Sequence, residues 1–160
     1  MKKLLLVDNF YPDGDLFNLQ EVSKTINYKQ TEFGEESVDF NLIVDNADKI
    51  FSKFLEGNYR VDKDSSGIFR KPMMNIHFES SKTDDDWVFF TALEQTTFNL
   101  FRHNSGADNS FQETNLNFAD FTQWNYTTNI LLEPNQGLFF RPWLFHSIQG
   151  GLIQYYRLSK

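Results

Sequence analysis

At 160 residues, 40% apolar, 23% charged and with 18 Phe, the chain is long enough for one sizeable core, and its composition excludes a disordered or collagen-like polymer. Fifteen Lys and Arg against 22 Asp and Glu leave a formal charge of −7, which argues against nucleic acid as a partner. Cysteine is absent, so disulfide staples, thiolate zinc sites and a cysteine nucleophile are excluded together.

The first apolar run, Leu4 to Val7, reads as a short strand; it is far too short for a membrane span or a signal-peptide core. The expectation is a soluble, cytoplasmic protein with no membrane partner, folded as one domain over residues 1–160. Pro12 and Gly14 then mark a turn, with Asp15 placed to cap a helix over Leu16 to Ile26. A second helix is expected over Ala47 to Leu55, where Ile50, Phe51 and Phe54 share one side before Gly57. From Tyr59 the texture changes to β-branched and aromatic runs separated by Gly, Asn and Asp. The strands predicted are Tyr59 to Lys63, Met73 to Glu79, Trp87 to Leu93, Thr97 to Arg102, Tyr126 to Leu132, Gly137 to Arg141, His146 to Ile148 and Ile153 to Leu158. About eight such strands suit a barrel or a jelly roll, and the pattern does not separate the two. The segments Thr31 to Asp39, Asp62 to Arg70 and Asn104 to Gln123 are expected as loops around the mouth.

The chemistry concentrates in a few residues. In Asn75-Ile76-His77-Phe78-Glu79 a strand period of two sends His77 and Glu79 to one face, so an imidazole nitrogen and a carboxylate oxygen can converge. His146 follows the Pro142 bend. Two histidines and one carboxylate form the facial arrangement of non-haem Fe(II), and zinc can use the same ligands. Arg157 lies 11 residues after His146 and shares a strand face with Ser159; a guanidinium fork and a hydroxyl suit a carboxylate. His103, between a strand end and a turn, reads as a structural or rim residue. Trp143 is expected to pack beside the Pro142 bend, and Asp84 to Asp86 to form a solvated turn.

The order His77-x-Glu79, His146 and Arg157-x-Ser159 resembles the 2-oxoglutarate and Fe(II)-dependent oxygenase superfamily, whose pattern is His-x-Asp/Glu, a distal His and an Arg often followed by x-Ser. The stretches Val7 to Asp13, His77 to Phe90 and Phe139 to Ser147 are similar to its small prolyl-hydroxylase-like branch and to uncharacterised phage or bacterial relatives. The resemblance implies a mainly β fold with flanking helices, a double-stranded β-helix (jelly roll, cupin-like) with the N-terminal helices packed outside. It implies Fe(II) on His77, Glu79 and His146, and 2-oxoglutarate as co-substrate, its far carboxylate on Arg157, deep in the barrel, helped by Ser159. The implied activity is oxidation of a small-molecule or peptide substrate that the sequence does not identify. Two rivals stand beside it: a non-catalytic β-helix module with a vestigial site, and a cupin-like metalloenzyme that does not use 2-oxoglutarate.

Overall fold

The structure, a computed structural model, describes residues 1–38, 45–72, 75–81 and 83–160. In chain order the described elements are β1 (Leu4–Val7), α1 (Asp13–Ser23), β2 (Tyr28–Thr31), β3 (Gly34–Ser37), α2 (Ala47–Leu55), β4 (Arg60–Arg70), β5 (Trp87–Ala92), β6 (Thr96–His103), β7 (Trp124–Leu132), β8 (Gly137–Phe140), β9 (His146–Gln149) and β10 (Leu152–Ser159). A short 3-10 turn at Phe121–Gln123 precedes β7. The strands form two antiparallel sheets, one ordered β1-β8-β5-β10-β4-β3-β2 and one ordered β7-β6-β9. This is a jelly roll, as expected, with helices on its outside.

Strand alternation explains why the large sheet is buried on both faces. Val88, Phe90, Leu138, Phe140, Ile153 and Tyr155 point between the sheets and meet Phe98, Leu132 and Ile148 of the small one. Their neighbours Trp87, Phe89, Phe139, Tyr156 and Leu158 point the other way and are covered by Ala47 and Phe51 of α2. All six residues of β5 are therefore buried, which is why its sequence is apolar except for Thr91 and shows no polar alternation. Phe51, fully buried against Phe89 and Tyr156, anchors α2 on the sheet. No helix among the described residues is long and apolar enough to cross a membrane.

Several expected boundaries are corrected. Helix α1 runs over Asp13–Ser23, and its N-cap is Pro12: the Asp15 and Leu16 amides donate to the Pro12 carbonyl at 3.0 and 3.1 Å. Asp15 thus lies inside the first turn, at the positive end of the helix dipole, and caps nothing with its side chain. The helix ends earlier than Ile26 because the Lys24 and Thr25 amides tighten onto the carbonyls of Glu21 and Val22. The stretch from Thr31, expected as a mouth loop, instead contains the end of β2 and the whole of β3. Its turn needs Gly34, whose φ is +120° and where a Cβ would stand 2.8 Å from the Lys71 carbonyl oxygen.

Strand β4 extends through Arg70, where a loop over Asp62 to Arg70 was expected. Its turn-like composition is accommodated by a bulge: between the pairs Arg157↔Asp62 and Tyr155↔Gly67, residues 63–66 stand opposite Tyr156 alone. The expected strand Met73 to Glu79 is not formed. Met73 and Met74 lie outside the described residues, and among the rest only His77 makes a bridge, to His146. The pairing stops there because the Pro142 bend turns the partner chain aside, and the Glu79 amide donates to the Pro142 carbonyl at 2.8 Å.

Candidate functional site

Segment 75–81 is extended enough to alternate. Ile76 and Phe78 point into a small aromatic core with Phe101, Trp124 and Phe145, where Phe118 also packs; His77 and Glu79 point the opposite way. His146 opens β9, and its amide and carbonyl pair with those of His77 at 2.9 and 3.1 Å. That two-bond bridge sets the histidines side by side, ring centroids 4.4 Å apart. One ligand atom from each of His77, Glu79 and His146 lies within 4.8 Å of the others.

The hydrogen bonds leave these atoms free to coordinate. His77 Nδ1 donates to the Asn75 carbonyl at 2.7 Å, and His146 Nδ1 to the Leu144 carbonyl at 2.6 Å. A proton on each Nδ1 leaves each Nε2 with its lone pair, the arrangement that orients metal-ligating imidazoles. On Glu79, Oε1 accepts the Tyr155 hydroxyl proton. Glu79 Oε2 and His146 Nε2 are buried with no hydrogen-bond partner and stand 3.6 Å apart. Two facing acceptors in a dry site are unfavourable until something electropositive sits between them.

Electrostatics agree with that donor set. Burial, reinforced by the His146 ring, pushes the His77 pKa down to about 4, so His77 is neutral at pH 7. Burial pushes the Glu79 carboxyl up; a positive charge facing it from the His146 side, the role a bound cation would fill, together with the Tyr155 hydroxyl more than offsets this and holds the group below its ordinary value. Burial and the Glu79 carboxylate push the Tyr155 hydroxyl well above its usual range, so it remains a donor. Aromatic rings wall the cluster: Phe33 lies 4.8 Å from His77, and Phe140 and Phe98 lie 4.6 and 6.0 Å from His146, all between centroids.

Arg157 and Ser159 fall on one side of β10, as their spacing predicts, and both line a cleft of about 240 Å³ with Asp62, Ser80, Asp86 and Trp87. The chain after Glu79 runs along β10, so Tyr155 meets Glu79 and Arg157 donates to the Ser80 carbonyl at 2.5 Å. Arg157 is only half-buried. The expectation of a guanidinium deep in the barrel is corrected: the β4 bulge opens this end of the strand and sets Asp62 opposite it. The turn from β9 into β10 is made by Gly150 and Gly151, both at positive φ; a Cβ at Gly151 would stand 2.3 Å from the Gln95 carbonyl.

His103 is structural, with Nδ1 at 3.0 Å from Ser105 Oγ and Nε2 at 3.0 Å from Gln123 Oε1, tying down the ends of the connection between β6 and β7. Trp143 is buried beside Pro142 and donates to the Asp84 carbonyl. Sequence reasoning missed Tyr155 and Phe33. Tyr155 had a signal, since it shares the strand face of Arg157; Phe33 had none, because its turn belongs to a hairpin the sequence did not announce.

No protein-family model matches the sequence, and no curated protein matches it. Solved structures do match the fold. The non-heme alpha-ketoglutarate-dependent epimerase SnoN from nogalamycin biosynthesis aligns with a TM-score of 0.63 at 9% identity, over 99% of this chain and 78% of that one. HygX from Streptomyces hygroscopicus, solved with nickel and 2-oxoglutarate bound, aligns at 0.55 and 8% identity, over 98% of this chain and 82% of its own. The viral collagen prolyl hydroxylase vCPH from Paramecium Bursaria Chlorella virus-1, solved as its 2OG complex, gives 0.53 and 13%, over 98% of this chain and 96% of its own. The likeness is one of fold, and by it this chain has the double-stranded β-helix architecture of the non-heme 2-oxoglutarate-dependent enzymes.

Proposed function

We propose that the protein is an Fe(II)- and 2-oxoglutarate-dependent oxygenase, with His77, Glu79 and His146 as metal ligands and Arg157 with Ser159 as the anchor for the far carboxylate of 2-oxoglutarate. The observation that carries this reading is the pair of buried, partnerless acceptors, Glu79 Oε2 and His146 Nε2, facing each other beside His77. Nitrogen, nitrogen and one carboxylate oxygen are the donor set that suits non-haem Fe(II). Bound iron with 2-oxoglutarate and O₂ supplies the oxidising power, yielding succinate, CO₂ and an oxidised substrate.

The protein's own part is positional. The Asn75 and Leu144 carbonyls hold the two imidazoles in the ligating tautomer, while Phe33, Phe98 and Phe140 keep water from their flanks. Arg157 would trade the Ser80 carbonyl for a carboxylate, a charge-assisted hydrogen bond worth on the order of 1.5–3 kcal/mol. The substrate is a small molecule or peptide bound from the mouth of the barrel. One observation favours a second reading, a metalloenzyme without 2-oxoglutarate: Arg157 already has a partner, and Asp62 and Asp86 share its cleft.

The test is an anaerobic titration of the metal-free protein with Fe(II) and then 2-oxoglutarate, watched for the visible charge-transfer band of a chelated keto acid. A band that disappears in His146→Ala and weakens in Arg157→Ala is the expected result. Iron uptake with no band moves the protein to the second reading. No iron uptake at all sinks both and leaves a non-catalytic β-helix.

A further inference from the structure

We propose that Tyr155 is a positioning residue that holds Glu79 as a one-oxygen ligand, an inference that rests on the metal-centre reading above. The two oxygens of Glu79 have different fates. Oε1 accepts the Tyr155 hydroxyl, whereas Oε2 is buried, has no partner and faces His146 Nε2 at 3.6 Å. A carboxylate fixed in this way turns Oε2 toward a cation and Oε1 toward Tyr155; clasping the cation with both oxygens would rotate Oε1 off the line of its buried bond.

The need for such a device follows from the residue type. Glu carries one methylene more than Asp, about 1.5 Å of extra reach, and one more rotatable bond, so its carboxylate can swing between one- and two-oxygen contact unless it is held. Tyr155 is well suited to hold it. Its ring belongs to the core between the sheets and packs edge-on against Phe69 at 5.8 Å. On its strand it faces Phe90 of β5 on one side and Gly67 of β4 on the other. A buried tyrosine has only two side-chain torsions to fix, so its hydroxyl is a rigid post. The post stands where a Glu carboxylate reaches it, and an Asp at position 79 would fall short.

The experiment uses Co(II), which does not oxidise in air as Fe(II) does, and reads both affinity by calorimetry and the cobalt d–d absorption. The proteins are wild type, Tyr155→Phe, Glu79→Asp and the double variant, each with its metal-free melting curve. Tyr155→Phe is expected to weaken Co(II) about 10- to 100-fold, the range for lost outer-sphere partners, and to change the d–d bands as Oε1 becomes free to bind. Glu79→Asp loses the same hydrogen bond, so the double variant should bind no worse than the weaker single one. Unchanged affinity and bands in Tyr155→Phe, with only a lowered melting temperature, would assign the hydroxyl to packing and overturn the proposal. So would additive losses in the double variant. If Tyr155→Phe does not fold, Glu79→Asp decides: wild-type affinity and bands there overturn the proposal. A wild type that takes up no Co(II) overturns the metal centre itself, a different failure from wild-type uptake with an indifferent Tyr155→Phe.

Discussion

Tyr155 and Arg157 sit two residues apart on β10 and serve adjoining sites built in opposite ways. Tyr155 reaches into a closed cluster where Glu79 Oε2 and His146 Nε2 face each other with nothing to bond. Arg157 reaches into an open cleft where the charges are already answered: its guanidinium has the Ser80 carbonyl, and the Asp62 carboxylate has the Asp64 amide and the Ser65 hydroxyl. The first region gains by taking a cation and gives up no hydrogen bond at Glu79 Oε2 or His146 Nε2 to do so. The second must give up a bond before it takes an anion, and it must do so beside a like-charged rim. On the proposed reading, the difference separates a metal site that surrenders no bond on binding from a co-substrate site that must exchange one.

Removing a ligand breaks the comparison most severely. His146→Ala deletes one of the two orphaned acceptors and should weaken metal binding by more than about 100-fold, beyond what outer-sphere changes reach; calorimetry with Fe(II) under nitrogen measures it. Arg157→Ala separates the two regions. It should leave metal affinity within about twofold of wild type while weakening 2-oxoglutarate about 10- to 100-fold, the equivalent of one charge-assisted hydrogen bond. Parallel loss of metal in Arg157→Ala would show that the two sites are one.

The same contrast governs what the sequence reveals. The expected bounds of α2, Ala47 to Leu55, match the structure because Phe51 is the buried anchor that the helical spacing implied. Strands β5, β8 and β10 lie within a residue or so of expectation because burial on both faces writes runs dominated by aromatic and aliphatic residues, with polar breaks only at Thr91, Gln154 and Arg157 before the strand-end Ser159. Strands β2 and β3 were invisible: Tyr28–Thr31 and Gly34–Ser37 lie at the sheet edge, largely polar and partly exposed, and no burial imposes a period on them. The latter half of β4 hid behind turn residues that the bulge at 63–66 absorbs. The triad was legible because both its strand spacing and its residue types are specific. The cleft was not, since nothing local to Arg157 says that a bulge elsewhere brings Asp62 to it.

Acid sharpens the closed region further. In the unfolded chain the His77 ring takes a proton below about 6.5; in the metal-free folded protein it does so only below about 4. Between those values protonation favours the unfolded state, so stability should fall as pH drops from 6.5 toward 4, with a slope of at most about 1.4 kcal/mol per pH unit from this group. Glu79, whose folded pKa is also depressed, loses its contribution only at lower pH still. Urea midpoints between pH 6.5 and 5 therefore isolate His77, and His77→Gln should flatten that part of the curve. An unchanged slope in that variant would place the loss elsewhere.

The smallest effect concerns the rim of the open cleft. Asp62 stands opposite Arg157 in the strand register and lines the same cleft as Ser159, so a dianionic ligand on Arg157 must approach a carboxylate. The Asp62 charge is firmly held, its carboxyl kept below the ordinary range chiefly by the Ser65 hydroxyl and then by the Asp64 and Ser65 amides, with Arg157 adding to them. Its repulsion acts through solvent, where exposed pairs are worth roughly 0.2–1 kcal/mol. Asp62→Asn keeps the side chain's shape and one acceptor oxygen for the local turn while removing the charge. It should tighten 2-oxoglutarate by about two- to threefold at low salt, and the gain should shrink as ionic strength rises and the Debye length falls below about 10 Å. Metal affinity should not respond, because Asp62 belongs to the open region and not to the closed one. If the variant instead binds 2-oxoglutarate more weakly, Asp62 is holding the bulge that presents Arg157, and the cleft depends on its acid for shape.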